Sequence, residues 1–125
     1  MTRKATMLAF LLMGTAVLTS CKESTPPCEL QGRWVVMPST LYEFTDSLQY
    51  TIYTTSPGVF GTLADAIPNP HRWWMQNDSL RIDLNFGNVA TYDVQFDCEC
   101  NVVDLTNAWG TQTWTKEGFD LSTCR

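Results

Sequence analysis

The feature that most constrains the fold of this chain is an alternation of apolar and polar side chains through two consecutive segments. Residues 80–86 and residues 90–98 both place an apolar side chain at every second position. Such alternation puts all the apolar side chains on one face of a β-strand. The Gly87-Asn88 pair between the segments suits a tight turn that needs positive φ angles. The two segments therefore predict an antiparallel hairpin with one buried face.

The same alternation recurs, in shorter form, along most of the chain after residue 28. It predicts six further strands, at residues 32–37, 41–44, 48–52, 72–76, 102–106 and 112–116. No segment there has convincing helical spacing, apart from one turn at residues 62–66. We therefore predict an all-β domain, an antiparallel meander of about eight strands. Such a meander can stay open or close into a barrel, and closure removes the exposed edges.

One long connection interrupts this order of strands. Residues 55–71 contain three prolines and two glycines, and they lack the alternation of a strand. A loop of this length in a small domain is typically a functional lid or a mobile segment. We predict a lid over the mouth of the barrel, with a mobile connection as the alternative.

The N-terminal segment has the pattern of an export signal. Arg3 and Lys4 precede an apolar run at residues 5–17, which is shorter than the ~20 residues that span a bilayer. Leu18-Thr19-Ser20-Cys21 resembles the lipobox of bacterial lipoprotein signal peptides. The resemblance implies cleavage before Cys21, lipid on its thiol and an acyl chain on its new amine. The alternatives are an ordinary secretory signal with a chance cysteine, or an uncleaved anchor.

This interpretation divides the chain into three parts. Residues 1–20 form a lipoprotein signal peptide, residues 21–27 a lipidated tether, and residues 28–125 one folded domain. The resemblance implies a cell-envelope protein whose lipid at Cys21 binds the membrane. Lys22 follows the cysteine where inner-membrane lipoproteins of enterobacteria carry aspartate, so the outer membrane is favoured, on its periplasmic or its surface face.

The charge of the predicted mature chain is strongly negative. Arg3 and Lys4 account for two of the eight basic residues, which leaves six against thirteen acidic ones and a net charge of −7. A chain of this charge has no general attraction for nucleic acid, and no basic patch is present in the sequence. We therefore expect no nucleic-acid partner.

Four cysteines remain after Cys21, namely Cys28, Cys98, Cys100 and Cys124. An even number in a small exported domain predicts two disulfides. A bond between Cys98 and Cys100 would close a strained ring, so Cys28 and Cys124 are expected to pair with these two, in either combination. The alternative is a redox or soft-metal site at Cys98-Glu99-Cys100, which we do not favour because ligand-spaced histidines are absent.

Several short motifs resemble those of lipocalins and of lipocalin-like lipoproteins of Bacteroidota. Gly32-Arg33-Trp34 resembles the Gly-x-Trp signature that begins the first lipocalin strand. Residues 42–46, 78–82 and 114–116 resemble, in turn, the second strand, a later turn with its strand, and the final strand of those lipoproteins. The resemblance covers most of residues 30–116 and implies a lipocalin-like barrel.

The same resemblance implies roles for particular residues. In lipocalins the tryptophan plugs the closed end of the barrel, and a basic residue of a late strand packs over it. Trp34 matches the tryptophan, and either Lys116 or Arg125 could match the basic residue. The family also implies binding of small apolar molecules, or a structural role in the envelope.

No residue pattern points to catalysis. His71 is the only histidine, and we interpret it as a loop residue because no nucleophile elbow, metal-ligand spacing or phosphate loop is present. We therefore predict that the protein is not an enzyme and has no cofactor or metal.

The adjacent Trp73 and Trp74 point to opposite faces of their predicted strand, so one of them lies outside the core.

Exposed aromatic side chains are the candidate contacts for a ligand or partner. We predict a ligand-binding site around the open end of the barrel, made by Trp73, Trp74, Tyr53 and Phe60. The first functional hypothesis is non-catalytic binding of a small apolar or amphipathic ligand. The alternative is a structural or interaction module with a filled barrel that docks another envelope protein.

Barrel volume separates these two hypotheses. The side chains predicted to fill the interior are Trp34, Tyr50, Ile52, Leu80, Ile82, Tyr92 and Phe96. If they fill it completely, no space remains for a ligand.

Overall fold

The computed structural model of this protein describes residues 27–125. The predicted signal peptide at residues 1–20 and the predicted lipid site at Cys21 lie outside the described residues. The same holds for the predicted tether, of which only Pro27 is described.

The described chain is built from short antiparallel strands joined by tight turns. They are β1 (Gly32–Met37), β2 (Thr40–Phe44), β3 (Leu48–Ser56), β4 (Val59–Phe60), β5 (His71–Gln76), β6 (Ser79–Asp83), β7 (Val89–Asp97), β8 (Val102–Asn107) and β9 (Gly110–Lys116). All eight predicted strands are present, and the two-residue β4 is an addition that the sequence did not predict. The helical elements of the described chain are two 3₁₀ turns of three residues, at Leu63–Asp65 and Leu121–Thr123, and neither could cross a bilayer.

Eight of these strands form a closed barrel. Consecutive strands pair with each other, with one exception at β4. Strand β4 pairs with the far end of β3, and β5 also pairs with β3 instead of with β4. The ring closes between the first and last strands, where Trp34 lies opposite Lys116 and Val35 opposite Thr115. The prediction of an all-β antiparallel barrel is confirmed.

The interior of the barrel is filled by side chains. Its buried core consists of Leu30, Trp34, Phe44, Leu80, Ile82, Val103, Leu105 and Trp114. Aromatic rings meet across this interior: the ring centroids of Phe44 and Trp114 are 6.0 Å apart, and those of Trp34 and Phe96 are 6.3 Å apart. Because Trp34 belongs to β1 and Phe96 to β7, the second contact joins strands that are not neighbours in the sheet.

The predicted orientation of β3 is wrong. Its register pairs Gln49 with the buried Phe44, and it pairs Ile52 with Leu41 on the other face of the sheet. Gln49 therefore points inward, whereas Tyr50 and Ile52 point outward. Apolar alternation shows which face of a strand is buried. In β3 the buried apolar face is the outer one, so the pattern led to the wrong prediction that Tyr50 and Ile52 point into the barrel.

The long connection after β3 covers this outer face. The Ile67 backbone N–H donates to the Thr51 carbonyl at 3.0 Å, and the Gly61 carbonyl accepts from the Arg33 guanidinium at 2.7 Å. Leu41 and Ile52 are fully buried although they face outward. The predicted lid at residues 55–71 therefore covers the barrel wall and does not lie across the mouth. We call this segment the covering loop.

The β6–β7 connection also differs from its prediction. Strand β6 ends at Asp83 instead of continuing to residue 86. Asn85, Phe86 and Gly87 all have positive φ angles, of 75°, 55° and 81°. The turn is therefore longer than the predicted Gly87-Asn88 pair, and it leaves the Phe86 side chain 99% exposed.

The cysteines form two disulfides, as predicted, and the structure selects one of the two pairings left open. Cys28 bonds to Cys100, and Cys98 bonds to Cys124. The first and last parts of the described chain, residues 27–31 and 121–125, are thereby fastened to the β7–β8 turn. The Asp97 carboxylate lies near the sulfurs of Cys98 and Cys124, but sulfurs joined in a disulfide are not thiolate ligands for a metal.

The C-terminal Arg125 is held against the barrel wall by two carboxylates. It lies 2.8 Å from Asp104 and 3.1 Å from Asp97, measured from its Nη2 to the carboxylate oxygens. The hydrogen bond from Arg125, aided by one from the Thr113 hydroxyl, holds the pKa of Asp104 below its ordinary value. Asp104 therefore stabilises the fold above the unfolded-state pKa of about 4, and this contribution is lost as the pH falls through the folded-state pKa.

We expect this linkage to be visible in acid. The free energy of unfolding should decrease as the pH falls below about 4, and the decrease should be smaller in an Asp104→Asn variant. Urea titrations at about pH 6 and about pH 3 measure the difference. Equal decreases in the two proteins would show that Asp104 does not contribute.

Candidate functional site

The two ends of the barrel differ in what covers them. The closed end is where the lead-in segment, residues 27–31, meets β1, together with the β2–β3, β5–β6 and β7–β8 turns. The loop end lies opposite and is formed by the β1–β2, β3–β4, β6–β7 and β8–β9 turns. Both disulfides lie at the closed end, so that end is fixed covalently.

Trp34 and the lead-in segment plug the closed end. The Trp34 side chain is fully buried, and its indole N–H donates to the Leu30 carbonyl at 2.7 Å. The Lys116 ammonium lies 5.2 Å from the centroid of the Trp34 ring, a cation–π geometry. Of the two basic residues that the lipocalin resemblance left open, Lys116 is therefore the one over the tryptophan, while Arg125 binds Asp104.

A small apolar cavity remains beside this plug. It has a volume of about 200 Å³, and Leu30, Trp73, Met75 and Phe96 supply its apolar lining. This volume is below the range of about 300–1,000 Å³ typical of small-molecule sites. This cavity at the closed end is therefore large enough only for a small apolar group.

The structure does not bring the four predicted binding residues together. Trp73 points into the barrel and Trp74 points outward, which confirms that the adjacent tryptophans occupy opposite faces. Tyr53 is half-exposed at the loop end, and Phe60 lies in β4 on the edge of β3. They therefore occupy four different places: the core, the outer wall, the loop end and the covering loop.

Trp73 is a core residue in this arrangement. Its ring packs edge-on against Phe44, with 5.3 Å between centroids, and its indole N–H donates to the Thr45 carbonyl at 3.0 Å. Trp74 lies on the outer wall with the Arg72 guanidinium 6.0 Å from its ring centroid. Replacing Trp73 would therefore disturb the packing of the barrel.

His71 begins strand β5 and is not a loop residue. Its register pairs it with Gln49 on the inward side of the barrel. Its Nδ1 atom is buried and has no hydrogen-bond partner among the described residues.

The loop end carries a second cavity, at the mouth of the barrel. It has a volume of about 300 Å³ and is lined by Tyr92, Asn107, Trp109, Gly110, Thr111 and Gln112. The strand registers place Tyr92, Asn107 and Gln112 on the inward side of β7, β8 and β9. Trp109 lies in the β8–β9 turn at the rim and is 93% exposed.

Polar groups of fixed orientation line this mouth. The Asn107 carboxamide oxygen accepts from the Trp109 backbone N–H at 2.9 Å. The Gln112 carboxamide oxygen accepts from the Trp114 indole at 3.2 Å, and no acceptor in the described chain engages the Gln112 amide nitrogen. Both carboxamides are therefore held by their oxygens, and their amide nitrogens have no acceptor among the described residues.

A cluster of tyrosines lies next to the mouth. Burial raises the pKa of the Tyr42 hydroxyl, and the neighbouring phenols of Tyr92 and Tyr53 raise it further. Tyr42 therefore stays protonated at neutral pH and remains a hydrogen-bond donor.

Exposed apolar side chains surround the loop end. They are Met37, Tyr53, Val59, Leu84, Phe86, Val89 and Trp109. They come from all four turns of that end, and we call them the apolar rim. Sequence reasoning missed Phe86 and Trp109, although Trp109 precedes Gly110 at a predicted bend, where a side chain is difficult to bury.

Comparison with protein-family models, with curated proteins and with solved structures finds no match to this chain. The class of protein is therefore defined by the fold itself, a closed eight-stranded antiparallel barrel with one added strand.

Proposed function

We propose that this protein is a lipid-anchored, non-catalytic binding module of the cell envelope, and that its lipocalin-like barrel presents the loop end to another envelope component. One observation carries the proposal. Core side chains pack across the interior, and the apolar cavity beside them has a volume of only about 200 Å³, whereas Phe86 and Trp109 are almost fully exposed at a single end. Large apolar side chains exposed together at one end of a domain are typical of an interaction surface.

The position of Cys28 supports this proposal, because it indicates which end of the barrel would face away from the membrane. Cys28 is fastened to Cys100 at the closed end, and the proposed anchor Cys21 is only seven residues away in the sequence. Seven extended residues span at most about 25 Å, so lipid at Cys21 would hold the closed end near the membrane. The apolar rim would then face away from the membrane surface.

Binding of a small apolar ligand is the second candidate function. The cavity beside Leu30, Trp73 and Phe96 favours it because its lining is mainly apolar. It takes second place because about 200 Å³ would hold only part of a ligand of ordinary size.

Site-specific photocrosslinking in the cells of the native host tests the proposal. A benzoylphenylalanine in place of Phe86 reports on the loop end, and one in place of Gln95, exposed on the outer wall away from the loop end, is the matched control. We expect an adduct of defined mass from position 86 and none from position 95. Adducts from position 95 alone, or none from either position together with a co-purifying small apolar molecule, would contradict the proposed display function.

A further inference from the structure

The mouth at the loop end is unsuited to an apolar ligand. Tyr92, Asn107 and Gln112, which point inward, bring a phenol and two carboxamides to its lining. An apolar molecule in this cavity would remove these groups from water without replacing their hydrogen bonds, which costs free energy. A suitable ligand must therefore offer many hydrogen-bond donors and acceptors.

Trp109 adds a flat apolar surface at the edge of these polar groups. Its side chain is 93% exposed, and its backbone is fixed by the hydrogen bond to Asn107. A rigid indole brings a large contact area at small entropic cost. A ring with an apolar C–H face and polar edges matches this combination, and sugar rings have that chemistry.

The charge of the mouth restricts the ligand further. None of the six residues that line it is an aspartate, glutamate, histidine, lysine or arginine. The predicted mature chain also carries seven more acidic than basic residues, which repels anions. A neutral ligand is therefore favoured over a phosphate or a uronate.

We propose that the mouth binds a neutral saccharide, with the Trp109 indole stacked on a sugar ring and Tyr92, Asn107 and Gln112 hydrogen-bonded to its hydroxyls. This inference rests on the proposed function, because it names what the loop end recognises. A cavity of about 300 Å³ that is open to solvent accommodates a short part of a glycan and leaves the rest outside.

The experiment is a binding assay with the complete protein, purified from its host in detergent. An array of neutral and acidic oligosaccharides identifies a ligand, and isothermal titration calorimetry measures its affinity. We expect binding to neutral glycans only, at least a tenfold loss in Trp109→Ala, and a several-fold loss in Tyr92→Phe. Trp74→Ala, on the outer wall, is the matched control and should bind normally.

The outcomes separate this inference from the proposed function. No neutral glycan bound by a folded protein, binding of acidic glycans only, or equal losses in the Trp109 and Trp74 variants would each overturn the saccharide site. A protein adduct at position 86 without glycan binding would also overturn it, while leaving the display function intact. Tyr92→Phe changes one hydroxyl and keeps the ring, so it remains informative if an alanine variant folds poorly.

Discussion

Replacement of Trp34 by alanine is expected to lower the free energy of unfolding by about 3–5 kcal/mol. Trp34 is fully buried at the closed end, where its ring contacts Phe96 and lies beneath the Lys116 ammonium. The variant would lose these contacts, leave a cavity, and deprive the Leu30 carbonyl of its indole donor. Equilibrium urea unfolding, followed by circular dichroism, measures the loss.

Trp109→Ala is the matched control for this prediction. The same side chain is removed, but from a position that is 93% exposed, so the change in stability should stay within about 0.5 kcal/mol. Similar losses in the two variants would mean that Trp109 is packed in solution, and that the apolar rim is not available to a partner.

Removal of the Cys28–Cys100 disulfide is the second large effect that we expect. The bond closes a loop of 72 residues, and the chain-entropy model assigns it about 4 kcal/mol. It also fixes the lead-in segment that places Leu30 under Trp34, so its loss should loosen the closed end. A Cys28→Ser/Cys100→Ser double variant, unfolded in urea under non-reducing conditions, gives the measurement.

The second disulfide provides an internal comparison. Cys98–Cys124 closes a loop of 26 residues, for which the same model gives about 3.5 kcal/mol. A Cys98→Ser/Cys124→Ser variant should therefore be destabilised less than the first, and peptide mapping should show the Cys28–Cys100 bond intact. The reverse order of stabilities, or a peptide map of the unsubstituted protein that joins Cys28 to Cys98, would contradict the fold described above.

The sequence alone predicted the strands because period-two alternation reports local geometry. Strand β1 begins and ends where predicted, and β8 differs by one residue. The pattern was least informative where both faces of a strand are covered. In β3 the apolar Ile52 lies beneath the covering loop, and the polar Gln49 faces the barrel interior.

The candidate site could be predicted only in part. Adjacent Trp73 and Trp74 had to point to opposite faces, but which one is buried depends on the register with β6, where Trp73 lies opposite the buried Ile82. The mouth joins Tyr92 to Gln112, which are twenty residues apart and lie on strands separated by β8. No local pattern encodes that proximity.

The sequence by itself determined the all-β class, the number of barrel strands and the presence of two disulfides. Each of these follows from local periodicity or from a count of residues. The tertiary structure alone decided the disulfide pairing, the choice of Lys116 over Arg125, the filling of the interior and the apolar rim at one end. These depend on contacts between residues far apart in the chain, which form only when the first and last strands pair and close the barrel.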